Sequence, residues 1–322
     1  MHRLIPALLL FFLVAPLDAQ VKITQGSDRI IIEIDGQPFT EMFTGSGVTK
    51  PYLHPLRSAS GKIVTRRFPM EVVEGEAHDH PHHRGLWFAH GDVNGFDYWS
   101  LGSTRQGPQP KIEIRRVTAL ESGKKQGIVR TLFDWVDRDG KALLTEDRLM
   151  TFYSHLTQRT IDFDIALAAL QPVKFGDTKE GTFAIRLAPQ LELPSPKAPA
   201  TPKRNGHIVT SEGVTGDKVW GTRAKWVDYY GEIEGEQLGI AVFDHPTNPR
   251  HPTYWHARGY GLFAANIFGV HDFLNDKNQD GSMSLAPGQS LRFRYRVIIH
   301  PDDPQKAQIP GQYEQYAKVK FK

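Results

Sequence analysis

The polar and apolar positions of this chain alternate more often than they follow a helical period. Arg29 to Ile34 (RIIIEI) runs into Asp35-Gly36, a dipeptide suited to a tight hairpin turn. Strand-like stretches of the same kind cover 111–117, 128–136, 143–153, 160–167, 182–187, 238–243, 261–268 and 291–299, and Asp139-Gly140 separates two of them. Only Gln312 to Lys320, near the end, has helical spacing. Many strands punctuated by turns predict an all-β fold, a large antiparallel β-sandwich. Residues 193–204, rich in proline and lysine, predict a long surface loop between two halves of that sandwich, because strands of similar composition continue on both sides. One domain over 20–322 is the expectation.

The start of the chain changes the picture of where it works. Met1-His2-Arg3 precedes an apolar run from Leu4 to Val14, and Ala19 is a small residue at a plausible cleavage point. This predicts a signal peptide over 1–19, since the run is shorter than the roughly 20 apolar residues a spanning helix needs. The expectation is an exported bacterial protein, periplasmic or secreted, with no membrane span in its mature form. The 322 residues include no cysteine, which excludes disulfides and thiol catalysis. A net charge of +3 with scattered cations argues against nucleic acid as a partner.

Chemistry concentrates in Glu76 to Trp99, EAHDHPHHRGLWFAHGDVNGFDYW. His78, His80, His82, His83 and His90 fall within thirteen residues, beside Asp79, Arg84, Asp92 and Asp97. Imidazoles move protons near neutral pH, bind metals and hydrogen-bond polar ligands. In an extended strand His78, His80 and His82 would share a face, as metal ligands do, but Pro81 interrupts that alternation. Two readings therefore stand: His78 and His80 as ligands of a divalent metal (zinc, calcium or another), or His82, His83 and His90 as acid–base groups. Arg84, Trp87, Asn94, Asp97 and Trp99 are the candidate substrate-binding residues of this segment.

Three other segments add candidates. Asp244 to His256, DHPTNPRHPTYWH, repeats the Asp-His-Pro of residues 79–81 and supplies Arg250, Trp255 and His256. Convergence of the two Asp-His-Pro loops on one rim is expected, with His271-Asp272 adjoining. The turn Asp177 to Gly181 offers Lys179 and Glu180, the latter a carboxylate for general base catalysis, with Arg186 on the strand that follows and Asp228 as a weaker candidate. Asp276 to Gly281 matches the start of a calcium loop, yet Pro287 stands where a bidentate glutamate belongs, which favours a polar turn. No nucleotide cofactor is expected.

The stretches DHPHHRGLWFAHGDVNGFDYW, DTKEGTFAIRLAP and FDHPTNPRHPTYWHARGYGLFAANIFG resemble the PmoA-labelled (DUF6807-type) family of secreted bacterial proteins of unknown function. The methane oxygenase subunit behind that label is an integral membrane protein, so copper methane oxidation does not transfer. The likeness implies a place in carbohydrate-degrading systems. The strand-rich plan, ending in LAPGQSLRFRYR, also resembles the galactose-mutarotase type of super-sandwich, where a histidine and a carboxylate exchange protons at a sugar ring. That resemblance implies an acid among His82, His83, His90 and His256 and a base in Glu180 or Asp228.

The leading expectation is an exported carbohydrate-active enzyme. It would act on a glycoside or modified sugar by histidine and carboxylate acid–base catalysis, through hydrolysis, elimination or epimerisation. A histidine-ligated, metal-dependent oxygenase or hydrolase is the second. The third is a non-catalytic glycan-binding protein that uses Trp87, Trp99, Trp226 and Trp255 as stacking platforms.

Overall fold

The computed structural model describes residues 20–100 and 107–321; the expected signal peptide lies outside the described residues. Strands β1 (Val21–Gln25), β2 (Arg29–Ile34), β3 (Gln37–Phe43), β4 (Tyr52–His54) and β5 (Leu86–His90) open the chain. The long strands β6 (Lys111–Glu121), β7 (Gln126–Val136), β8 (Ala142–Ser154) and β9 (Arg159–Ala169) follow, then β10 (Val173–Phe175), β11 (Gly181–Arg186) and β12 (His207–Thr210). The remainder is β13 (Trp226–Ile233), β14 (Glu236–Asp244), β15 (Tyr254–Ala257), β16 (Leu262–Asn266), helix α1 (Val270–Phe273), β17 (Met283–Leu285), β18 (Ser290–Pro301) and helix α2 (Ile309–Tyr316).

Two eight-stranded antiparallel sheets result. The first runs β1-β2-β3-β4-β5-β11-β16-β15 and the second β12-β13-β14-β18-β9-β8-β7-β6, while β10 and β17 form a small ribbon. The predicted all-β sandwich is the observed fold. Strands with one wet face show the alternation that predicted them: β2 buries Ile30, Ile32 and Ile34 and leaves the residues between half-exposed. Aromatic contacts weld the sheets together. Phe88 of β5 packs on Trp135 and Phe293, and Phe183 of β11 on Phe163 and Tyr295.

The outer faces of the two sheets differ, and that difference positions the site. On the second sheet α2 covers one end, seating Ile309, Tyr313 and Tyr316 on Trp226, Phe243 and Ile298. Cross-strand pairs such as Arg292–Asp164, Arg296–Asp162 and Arg130–Asp147 occupy the rest. On the first sheet β5, β11 and β16 are buried along their whole length. Their inner sides meet the second sheet, so their outer sides must be covered by loops. Residues 76–84, 97–99 and 258–260 supply that cover, and the histidine segment lies within it.

Candidate functional site

Antiparallel register builds the floor of the site. Phe88 faces the core, so its neighbours Trp87 and Ala89 face outward. Directly opposed residues share a face, and register sets Tyr52 opposite Trp87, Trp87 opposite Ala184, Ala184 opposite Ala264, and Ala264 opposite His256. One row across four strand spacings thus carries aromatic bulk at one end, an imidazole at the other, and two alanines between. Gly85, just before β5, is under tight constraint. Its φ is +51°, and a Cβ there would lie 2.0 Å from the Leu53 carbonyl oxygen.

A buried arginine holds the histidine loop over this floor. The guanidinium of Arg66, 0% exposed, donates to the carbonyls of Ala77, Asp79, His80 and His83 and to Asp79 Oδ1 at 2.5 Å. Residues 80–83 form a turn in which the His83 amide donates to the His80 carbonyl. That turn brings the His80 and His83 rings parallel at 4.7 Å, and Tyr260 stacks nearly parallel to His80 at 5.9 Å. His80 itself adopts φ +43°, a left-handed backbone that non-glycine residues rarely accept and that is often tied to function.

The pairing around Asp79 fixes protons. Arg66 and Arg186 both donate to Oδ1, the second at 3.0 Å, and His80 Nδ1 lies 2.9 Å from Oδ2. Burial works to raise the Asp79 pKa, but the His80 hydrogen bond and the charges of Arg186 and Arg66 outweigh it and hold the carboxyl well below its usual range. An ionised carboxylate only accepts, so His80 Nδ1 is the donor, and in the neutral form of the ring Nε2 carries the lone pair. Both side chains stay open to solvent, at 43% and 42% exposure. Burial lowers His82 to about 3, and His83 also falls below the ordinary imidazole range because of burial and the nearby charges. Arg186 donates to His83 Nδ1 at 3.3 Å, and Trp87 stacks beneath that ring at 5.2 Å.

Two further ionisable groups complete the site. Burial raises Glu180 against the opposing pull of Lys179 and His80. Lys50, buried against Trp87 and Trp99, donates to the Trp99 carbonyl. Burial brings it down to about 7, countered by the charge of Asp97. Nothing in the sequence pattern marked Lys50, Arg66 or Tyr260. The available signal for Lys50 was a lone cation entering the apolar stretch 51–53.

The other predicted residues divide clearly. His256 lies on the outer face, where its Nδ1 meets the Lys179 carbonyl at 2.9 Å and its ring meets the edge of Trp220; burial lowers it to about 3. It braces the Lys179–Glu180 turn, as does Asp272, which accepts from the Lys179 amide. His271 pairs with Asp177 at 2.7 Å in the same turn. Asp97 caps the amides of Trp99 and Ser100, and Arg84 sits over Tyr52.

Several predicted residues lie away from the site. His90 points into the core between Phe175 and Phe268, with Nε2 on the Gly176 carbonyl. Asn94 closes a turn against Pro172 and Lys174. Asp228 belongs to the second sheet and pairs with His300 at 2.8 Å. Arg250 clamps the carbonyls of Ile267, Gly281 and Ser282. Trp255 is a core residue that donates to the Ala224 carbonyl. Trp87, Trp99 and Trp226 are buried too, so none of the four expected platforms presents a free face.

The metal expectation finds no ligand set. His78 stacks on Phe68 while His80 is held by Asp79, and no group of three or more His, Asp, Glu or Cys among the described residues is arranged to hold an ion. Asp276 and Asp280 turn back onto the amides of Asn278 and Ser282, as in a polar turn. No helix among the described residues is long and apolar enough to cross a membrane.

No curated protein is significantly similar in sequence. Similar solved structures include a galactose mutarotase-like protein from Clostridium acetobutylicum, 10% identical, with 87% of this chain and 98% of that one covered at a TM-score of 0.42. An α-galactosidase from Lactobacillus brevis is 11% identical over 92% of this chain and 41% of its own, at a TM-score of 0.42. A putative aldose 1-epimerase from Escherichia coli K12 is 8% identical over 87% and 99%, at a TM-score of 0.33. A family model described as a family of unknown function, DUF6807, matches residues 29–314, and the chain therefore belongs to that family.

Proposed function

We propose that this protein is an exported carbohydrate-active enzyme that moves a proton at a sugar carbon or glycosidic oxygen, with His80 as general base and Glu180 as general acid. The Asp79–His80 pair carries the reading. Asp79 fixes the tautomer and orientation of His80, and two buried arginines fix Asp79, so the free Nε2 is presented at an open rim without reorganisation. Glu180, whose pKa burial raises, stays protonated to higher pH than an ordinary carboxyl and can donate. The polar, aromatic-edged surroundings suit a polyhydroxylated ligand.

The test is turnover by the purified protein on a panel of glycosides, sugar lactones and uronates, run in deuterated water to detect exchange at carbon. The wild type is expected to exchange or convert at least one member. His80→Asn and Glu180→Gln should each abolish that signal at an unchanged melting temperature. Full rates in both variants would sink the assignment, and sugar binding by the wild type with neither exchange nor conversion would point to the glycan-binding reading.

A further inference from the structure

Behind Tyr260 the molecule opens into a cavity of about 730 Å³, roofed by the proline-rich loop that includes Pro194, Pro196 and Pro199. That size falls within the range of sites for small organic ligands. Tyr260 is the shared partition. His80 stacks on its ring from the site described above, and the Arg258 guanidinium lies 5.8 Å from the same ring. Arg258 also rests over Trp220 at 4.6 Å.

The arginines here are unequally committed. Arg186 is held by Asp79, while Arg204 is held by Glu192 and by the carbonyls of Gly75, Pro199 and Pro202. Arg258 makes no ion pair among the described residues, and neither does Asp217 on the same lining. A guanidinium braced on an indole is a preorganised planar fork, the geometry that recognises a carboxylate through two parallel hydrogen bonds. Lys197, on the loop, adds a further positive charge to the lining, besides the paired Arg204.

We infer that this cavity binds a carboxylate-bearing sugar unit next to the unit at His80, with Arg258 pairing to the carboxylate. The substrate class is then an acidic glycoside of at least two units. This rests on the sugar-acting reading of the His80 site for the neighbouring unit, though not for the anion.

The experiment is calorimetric titration of the whole protein with di- and trigalacturonate and with glucuronate-containing disaccharides, against cellotriose and maltotriose as neutral probes of similar length. The acidic probes should bind about tenfold or more tightly than the neutral ones, and Arg258→Gln should weaken them by about the same factor. Arg258→Lys, which keeps the charge without the fork, should fall between, and Asp217→Asn, which removes an opposing charge, should tighten binding. Equal affinity for neutral probes, an Arg258→Gln variant that melts like the wild type and binds unchanged, or no binding of any acidic probe overturns the inference. Loss of turnover in His80→Asn with unchanged binding in Arg258→Gln sinks the cavity alone. Intact turnover in His80→Asn with weakened binding in Arg258→Gln sinks the catalytic reading alone.

Discussion

The tripeptide Asp-His-Pro occurs at residues 79–81 and again at 244–246, and the two copies do different work. In the first, Asp79 and His80 are half open to solvent, gripped from below by Arg66 and Arg186. In the second, Asp244 is fully buried at the end of β14, where it accepts from Asn248 Nδ2 at 2.7 Å and the Thr253 amide at 2.9 Å and pairs with His251 at 2.7 Å. His245 packs edge-on against Tyr316 and Phe321, in the layer formed by α2 on the second sheet. The expected convergence of these loops does not occur; of that segment only His256, in β15 of the first sheet, reaches the site's side of the molecule. What separates them is the partner of the aspartate. Charged donors beneath an open carboxylate leave its histidine free to act, whereas short polar partners around a buried one tie a corner of the fold.

Breaking each copy should produce opposite phenotypes. His80→Asn removes the nitrogen assigned to proton transfer, and turnover should drop by about 10²- to 10⁴-fold. Because His80 is solvent-facing, the denaturation midpoint should move by no more than about 1 kcal/mol of stability. Asp244→Ala leaves His251, Asn248 and the Thr253 amide without their acceptor in a buried setting. Stability should fall by about 3–5 kcal/mol in a denaturant titration, with the rate per folded molecule unchanged. If Asp244→Ala instead lost activity while staying stable, the separation of the two copies would be wrong.

Legibility in the sequence followed solvent exposure only in part, since 182–187 and 261–268 were legible as strands although β11 and β16 are buried throughout. Strands such as β2, β8 and β18 keep one wet face, so their alternation is visible and their predicted bounds lie within a few residues of those observed. β5 is missing from the predicted strands: Leu86 to His90 is only five residues long, is buried on both faces and has no polar phase to set it apart from the histidine segment around it. The histidine loop announced itself by crowding. Its supports did not: Arg66 belongs to an Arg-Arg pair and looks like any surface cation, Lys50 is a lone cation whose partner Trp99 lies in another loop, and Tyr260 reaches His80 from 180 positions further along the chain. The repeated tripeptide misled for the same reason. Identity of three residues says nothing about which charges the fold sets beneath them.

Comparison of the two sheets also yields pH predictions of opposite sign. Burial lowers His54 and His90 to about 4 and His256 to about 3, and all three belong to the first sheet. Each stays neutral in the folded chain while its unfolded counterpart takes up a proton below about 6.5. Between pH 6.5 and 4 the unfolded state therefore binds more protons, and stability falls as the solution is acidified. For His90, fully buried, a shift of this size amounts to about 3 kcal/mol. His90→Gln should flatten the dependence of unfolding free energy on pH in that window, and an unchanged slope would assign the acid sensitivity elsewhere.

The second sheet should respond the other way, more weakly. His300 and Asp228 are fully buried partners at 2.8 Å. Burial works to lower His300, but the Asp228 charge and hydrogen bond prevail and raise it, while burial raises Asp228 against the pull of His300. Both directions mean that the folded pair retains protons the unfolded chain would release. The His300 contribution is complete below about pH 6.5 and is lost as pH rises through its raised folded value. Asp228→Asn keeps the shape of the site and removes the charge that raises His300. Above pH 6.5 the variant should lose less stability per pH unit than the wild type, although its absolute stability is lower. A steeper decline in Asp228→Asn would mean that the pair titrates in the same sense as the first-sheet histidines, and the contrast between the sheets would fail.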